Sequence, residues 1–220
     1  KVKFKSKEKE EGLPLVSIKA RKQMFVREGF IIVGLAWIVM SLFGALPFVI
    51  SREIPHYIDA FFETVSGFTT TGASILNDVE AMSKSMLFWR SFTHWIGGMG
   101  VLVFVLAILP NSEGQNIFLL KAESTGPQVG KLVSKVRFTA RILYLIYFVL
   151  TLLEFIFLLF GRNSVYDSLV TAFATAGTGG FGIYGDSIAS FSSYSQIVIA
   201  VFMMIFGINF NIFYLMVIGR

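Results

Sequence analysis

Phe68-Thr69-Thr70-Thr71-Gly72-Ala73-Ser74 packs three threonines and a glycine into seven uncharged residues. A stretch of the same character, Ala176-Gly177-Thr178-Gly179-Gly180-Phe181-Gly182, lies 108 positions further on. Each belongs to a short charge-poor piece, residues 60–71 behind Asp59 and 168–181 behind Asp167. Such a piece is too short to cross a bilayer, which takes about 20 residues, but it fits a re-entrant segment that dips in and returns on the same side. Irregular backbone at membrane depth survives only where it lines a cavity or is buried in protein. Glycine accepts dihedrals that other residues resist, so runs of Gly and Thr let the chain stay extended with carbonyls turned inward. Rings of such carbonyls can replace the water shell of an ion. Neither turn holds an acid, so the ligands on offer are neutral oxygens, suited to a weakly hydrated monovalent cation such as potassium.

Outward from these stretches the chain divides into long apolar runs. Residues 29–51 and 91–112 carry no Asp, Glu, Lys or Arg, residues 142–161 only Glu154, and residues 197–219 none. At 1.5 Å per residue each run spans a hydrocarbon core of about 30 Å, which predicts four membrane-crossing helices. The composition agrees. Apolar residues make up 55% of the 220, including 24 Phe, and charged residues only 15%, against about 25% in a soluble domain. These numbers disfavour a soluble globule and exclude a disordered chain. Without Cys there is no disulfide, thiolate metal site or Cys nucleophile, and the two histidines, His56 and His94, are too few for a His-based zinc site. No nucleophile–base set is visible, so an enzyme is not expected.

A shift of 108 lays one half over the other. Asp59 falls on Asp167, Thr70-Thr71-Gly72 on Thr178-Gly179-Gly180, and residues 30–50 on 138–158. The order helix, short re-entrant helix, Gly-rich turn, helix therefore occurs twice, with both copies starting on the same side of the membrane. The fold class read from this is an all-α integral membrane protein of two parallel helix–pore-helix–helix repeats. The expected divisions are a basic arm at 1–28, a first repeat at 29–110, a linker at 111–136 and a second repeat at 137–220. Fifteen of the 19 basic residues lie in the arm, in and beside the linker, or at Arg220; only Arg52, Lys84, Arg90 and Arg162 fall on the other face, with seven acids that include Glu53, Asp59, Glu63 and Asp167. The positive-inside rule places the N-terminus and linker in the cytoplasm, with both re-entrant pieces entering from outside. The basic arm is read as a topology signal in contact with lipid headgroups; no nucleic-acid reader is visible.

The candidate ion-binding residues are Thr70, Thr71, Gly72 and Ala73 in the first turn and Thr178, Gly179, Gly180 and Phe181 in the second, flanked by Thr69 and Gly177. Asp59 and Asp167 are placed as N-caps of the short helices, whose negative C-terminal ends then point at the turns and favour a cation. Gly97, Gly98 and Gly100 serve either bending or close packing of the second helix. Asn209 and Asn211 either line the path or join helices. Glu154 is placed against a neighbouring helix or a missing unit, and His94, beside Trp95, at the interface.

Asp59-Ala60-Phe61-Phe62-Glu63, Gly67-Phe68-Thr69-Thr70-Thr71-Gly72, Trp95-Ile96-Gly97-Gly98-Met99-Gly100, Ala107-Ile108-Leu109-Pro110, Phe173-Ala174-Thr175 and Gly179-Gly180-Phe181 resemble the bacterial form of the Trk/Ktr superfamily of potassium-uptake membrane subunits. The similarity runs the length of the chain and is denser in the first copy. It implies a four-unit pore for potassium in the cytoplasmic membrane, assembly as a homodimer, and a cytoplasmic nucleotide-binding regulatory subunit, for which the Lys121–Lys135 stretch is a plausible contact. Only two units are present, so the chain is expected to be a fragment of a longer protein, and the gate features of the third unit and the basic residue of the last have no counterpart. The residues by themselves leave three functions open: a potassium-translocating subunit, a nonselective or sodium-coupled cation channel on the same scaffold, and a non-transporting membrane assembly protein.

Overall fold

A computed structural model describes residues 26–100 and 136–218, and every regular element among them is α-helical. The basic arm and the 111–136 linker fall almost wholly outside the described residues. In chain order the helices are α1 (Val26–Gly44), α2 (Leu46–Ile50), α3 (Tyr57–Phe68), α4 (Lys84–Met99), α5 (Val136–Phe160), α6 (Val165–Ala176), α7 (Ser193–Phe206) and α8 (Phe210–Ile218).

The duplication is visible in the backbone. The short helices α3 and α6 are each 12 residues long and begin and end 108 positions apart. The helices before them run out at left-handed residues, Arg52 (φ 63) and Arg162 (φ 62). The helices after them start behind serine caps, Ser83 accepting from the amide of Met86 and Ser192 from that of Ser195. Helix α1 packs on α3 as α5 packs on α6, and α3 meets α4 as α6 meets α7. One extensive contact crosses between the copies: α4 lies against α6 as well as α3.

Two of the four expected crossings are helices of full length, 30–50 and 138–160. The first is interrupted for one residue at Ala45, two residues before Pro47, whose missing N–H cannot bond the preceding turn. The other two differ from expectation. Helix α4 begins seven residues before the charge-free run at 91–112 and takes Arg90 inside; the rest of that run, from residue 101, lies outside the described residues. The run at 197–219 is broken at Gly207–Asn209 into α7 and α8. Glycine is a poor helix former and Asn competes for backbone hydrogen bonds, which accounts for the interruption there.

Polarity is arranged outside-in. Phe43 and Phe160 are 68% and 73% exposed, whereas Glu63, His94 and Glu154 are 0% exposed. An apolar belt on α1 and α5 around a hydroxyl- and charge-bearing interior suits lipid as the surrounding solvent. Among the serines and threonines, Ser41, Thr64, Thr93, Thr151 and Thr175 are all buried between helices.

Candidate functional site

The two Thr/Gly stretches follow the C-termini of α3 and α6 as irregular turns. Each has left-handed backbone at alternate residues: Thr70 (φ 55) and Gly72 (φ 75), Thr178 (φ 60) and Gly180 (φ 66). The matched positions carry matched dihedrals, so the turns are one design used twice. Thr70 donates its amide to Gly67 at 3.0 Å, and Thr178 donates to Thr175 at 2.8 Å. Among the described residues, none donates to the carbonyls of Thr70, Thr71, Gly72, Thr178 or Gly179. Backbone carbonyls at this depth are ordinarily bonded, so a group left free is notable.

The turns abut. A Cβ on Gly72 would strike the carbonyl of Gly179, and one on Gly179 would strike the carbonyl of Thr70 and the ring of His94. Gly180 has nothing within 4 Å of a Cβ position, so its glycine answers to its positive φ alone. Phe181 does not line the turn with its side chain, which is 1% exposed and packed inward.

Asp59 and Asp167 are not the caps of the short helices. The N-caps are His56, without a side-chain cap bond, and Ser164, whose Oγ accepts the Asp167 amide at 3.0 Å. Both acids stand at the third helical position, where they still complement the positive end of the helix.

The largest departure from the sequence reading is behind the turns. Glu63 and Arg90 are not part of an external charge pattern. They form a buried ion pair, Arg90 Nε to Glu63 Oε1 at 2.6 Å, with side chains 3% and 0% exposed. Glu63 also accepts from Ser74 Oγ at 2.9 Å and from the Ile75 amide at 2.9 Å, so it holds the chain leaving the first turn. Arg90 Nη1 donates to the carbonyl of Gly182, which holds the chain leaving the second. Its guanidinium lies 3.5 Å from the centre of the Phe181 ring, a cation–π geometry. His94 is not interfacial. It is fully buried, its Nε2 accepts the Gly179 amide at 3.1 Å, and its ring stacks on Phe181. Arg90, Thr93, His94 and Gly97 recur at three- and four-residue spacing, which puts them on one face of α4. That stripe was the signal in the sequence.

The glycines of α4 serve packing. Gly97 lies against the Phe68 carbonyl, and Gly98 against Tyr147 and the Ala176 carbonyl, so each meets the end of one short helix. Gly100 (φ 74) ends the helix. Tyr147 fastens the same place, donating to the Trp95 carbonyl at 2.8 Å. Glu154 on α5 is buried beside Thr175 of α6. Asn209 sits in the break between α7 and α8, away from the regular helix the sequence suggested. The side chain of Asn211 lies outside the described residues.

The family model TrkH, described as a cation transport protein, matches residues 10–220. The chain belongs to the TrkH family. Curated TrkH-family relatives include the Trk system potassium uptake protein TrkH of Escherichia coli (strain K12), 38% identical over 206 residues, which are 92% of this chain and 42% of that protein. The Trk system potassium uptake protein TrkG of the same strain is 33% identical over 198 residues, 89% of this chain and 41% of that protein. Among solved TrkH structures, the crystal structure of the potassium transporter TrkH from Vibrio parahaemolyticus matches with a TM-score of 0.71 at 31% identity, covering 89% of this chain and 39% of that one. The all-α membrane fold is thus the TrkH fold, and the chain spans about two fifths of the length of the relatives it matches.

Proposed function

We propose that this TrkH-family chain supplies two of the re-entrant turns of a potassium-uptake pore. The observation that carries the reading is the pair of abutting turns with matched left-handed residues and carbonyls to which no described residue donates. Thr70, Thr71, Gly72 and Ala73 would face the ion from one repeat, and Thr178, Gly179, Gly180 and the Phe181 backbone from the other. Carbonyls held at a fixed spacing replace the hydration shell of a weakly hydrated cation, which is the chemistry of potassium selection. Helices α3 and α6 add the negative ends of their dipoles at the same place. The names carried by the relatives, Trk system potassium uptake proteins, point to the same ion. Potassium is cargo in this reading, not a resident cofactor.

The rest of the proposal follows from the charge pattern and the family. The chain sits in the cytoplasmic membrane with its N-terminus and the 111–136 linker in the cytoplasm, as two parallel repeats at 29–110 and 137–220. The whole protein pairs with a second copy and works with a cytoplasmic nucleotide-binding regulatory subunit, the basic linker being the surface for it.

The test uses the full-length protein in cells that lack other potassium uptake. Gly72→Ser and Gly180→Ser are expected to raise the potassium concentration needed for growth and uptake, or to admit sodium. If both variants reach the membrane and keep the parental potassium affinity and potassium-over-sodium preference, the turns are not the filter.

A further inference from the structure

The two turns share a backbone design but not a means of support. In the first, the amide of Thr71 is held locally, by the Ser66 carbonyl of its own short helix at 3.0 Å. The matching amide in the second turn is that of Gly179, and it goes instead to the Nε2 of His94, on α4 of the first repeat, at 3.1 Å. We propose that His94 is the positioning residue of the second turn and, through it, a determinant of ion preference; this rests on the reading of both turns as the filter.

The local geometry is built around the imidazole. A Cβ on Gly177 or on Gly179 would strike the His94 ring, so both glycines leave room for it. Phe181 stacks on its other side, ring centres 5.2 Å apart at 25°. Arg90, one helical turn away, lies over Phe181 and bonds the Gly182 carbonyl. Residues 177–182 therefore wrap around two side chains of α4. Because Gly179 donates, Nε2 is the bare nitrogen and the ring proton sits on Nδ1, which is buried without a hydrogen-bond partner among the described residues. The neutral ring thus spends its one acceptor on the second turn.

The second repeat has no substitute of its own. Aligning the capping serines Ser83 and Ser192 puts Ile199 where Arg90 stands and Met203 where His94 stands. Neither can accept the Gly179 amide as His94 does or pair with a carboxylate. The position of Glu63 is taken by Thr171. Thr171, Ile199 and Met203 line a cavity of about 80 Å³ beside Gly180 and Gly182, so the flank of the second turn that faces its own helix α7 is loosely filled. With that flank loosely filled, the bonds from α4 to Gly179 and Gly182 are what support the turn beyond its own Thr178–Thr175 bond. A shift of tenths of an ångström in carbonyl spacing acts on the fit to the ion before it stops flow.

The test is made in the full-length protein, comparing His94→Met with His94→Gln. Methionine repeats what the second copy carries at this position and keeps the volume without the ring acceptor; the Gln amide oxygen can accept from Gly179. Isotope uptake over a range of potassium, with and without competing sodium, separates preference from maximal rate, and membrane abundance is measured beside it. His94→Met is expected to lower potassium-over-sodium preference by about tenfold, the scale of losing one buried hydrogen bond, and His94→Gln to restore most of it. An unchanged preference in His94→Met, with only rate and abundance reduced, marks His94 as packing and overturns the proposal. Should His94→Met not reach the membrane, Gly177→Ala, which displaces the ring and leaves His94 in the chain, is read the same way. Gly72→Ala is run in parallel because it acts on the filter directly. If it alters preference while His94→Met does not, the turns remain the filter and the positioning role falls; if neither does, the filter reading itself falls.

Discussion

Both turns start on a bond to their own short helix, but beyond that the first is held by its own repeat and the second by its neighbour's. Glu63 sits on the short helix that leads into the first turn and gathers the chain that leaves it, through Ser74 and Ile75. Nothing on α6 does the same for the second turn, whose exit is fastened by Arg90 and whose middle by His94, both on α4. The lesson is that the duplicated backbone and its duplicated dihedrals do not require duplicated support. Once α4 lay between the two short helices, one set of polar side chains sufficed for both turns, and the matching positions of the second copy carry Ile199, Met203 and Thr171.

The Arg90–Glu63 pair offers the largest effect. Arg90→Met strands a buried carboxylate and frees the exits of both turns, so the full-length protein in detergent is expected to lose about 3–5 kcal/mol, read as a fall in thermal midpoint and in membrane abundance. Glu63→Gln keeps the shape and leaves the arginine unpaired, and should lose a comparable amount. If either change is silent, the pair is not what joins the turns.

The glycines come next, and they are expected to differ. Gly72→Ala meets both a left-handed φ of 75 and the carbonyl of Gly179, whereas Gly180→Ala meets only a φ of 66 with open space around it. A left-handed alanine costs about 1–2 kcal/mol by itself, so Gly180→Ala should remain in the membrane with a modest change in uptake. Gly72→Ala should push the turns apart and lose most potassium preference. Equal effects in an uptake assay would mean that the turns do not abut.

The smallest difference lies at the caps. Ser83 accepts the Met86 amide and also donates to Glu53 Oε1 at 2.6 Å, whereas Ser192 accepts from Ser195 without an acidic partner. Removing a serine cap costs about 1 kcal/mol. Ser83→Ala is therefore expected to lower the thermal midpoint more than Ser192→Ala, and the reverse order would show that the Glu53 bond adds nothing.

Much of the architecture was legible in the residues, because lipid imposes strict arithmetic. Runs of about 20 apolar residues, pieces too short to cross, and a fixed offset of 108 between Asp59 and Asp167 name the elements and their order. The length rule failed where polarity is cancelled or the backbone is interrupted inside a run. The charge count puts Arg90 on the outer face; a lone arginine is expensive in hydrocarbon, and its contact with Glu63 is what lets it lie inside. The break at Gly207–Asn209 sits within an apolar run, where hydropathy has no sensitivity to helix propensity.

By itself the sequence determined the all-helical membrane class, the duplication, and the two Thr/Gly turns, since each follows from local composition and spacing. Only the tertiary structure decided that Glu63, Arg90 and His94 are interior, that Gly72 faces Gly179 while Gly180 faces open space, and that one helix supports both turns. The physical reason is distance along the chain. Arg90 and Gly182 are 92 residues apart, and His94 and Gly179 are 85 apart. No periodicity or propensity reaches across such a separation, and the pairing exists only once α4 packs against both α3 and α6.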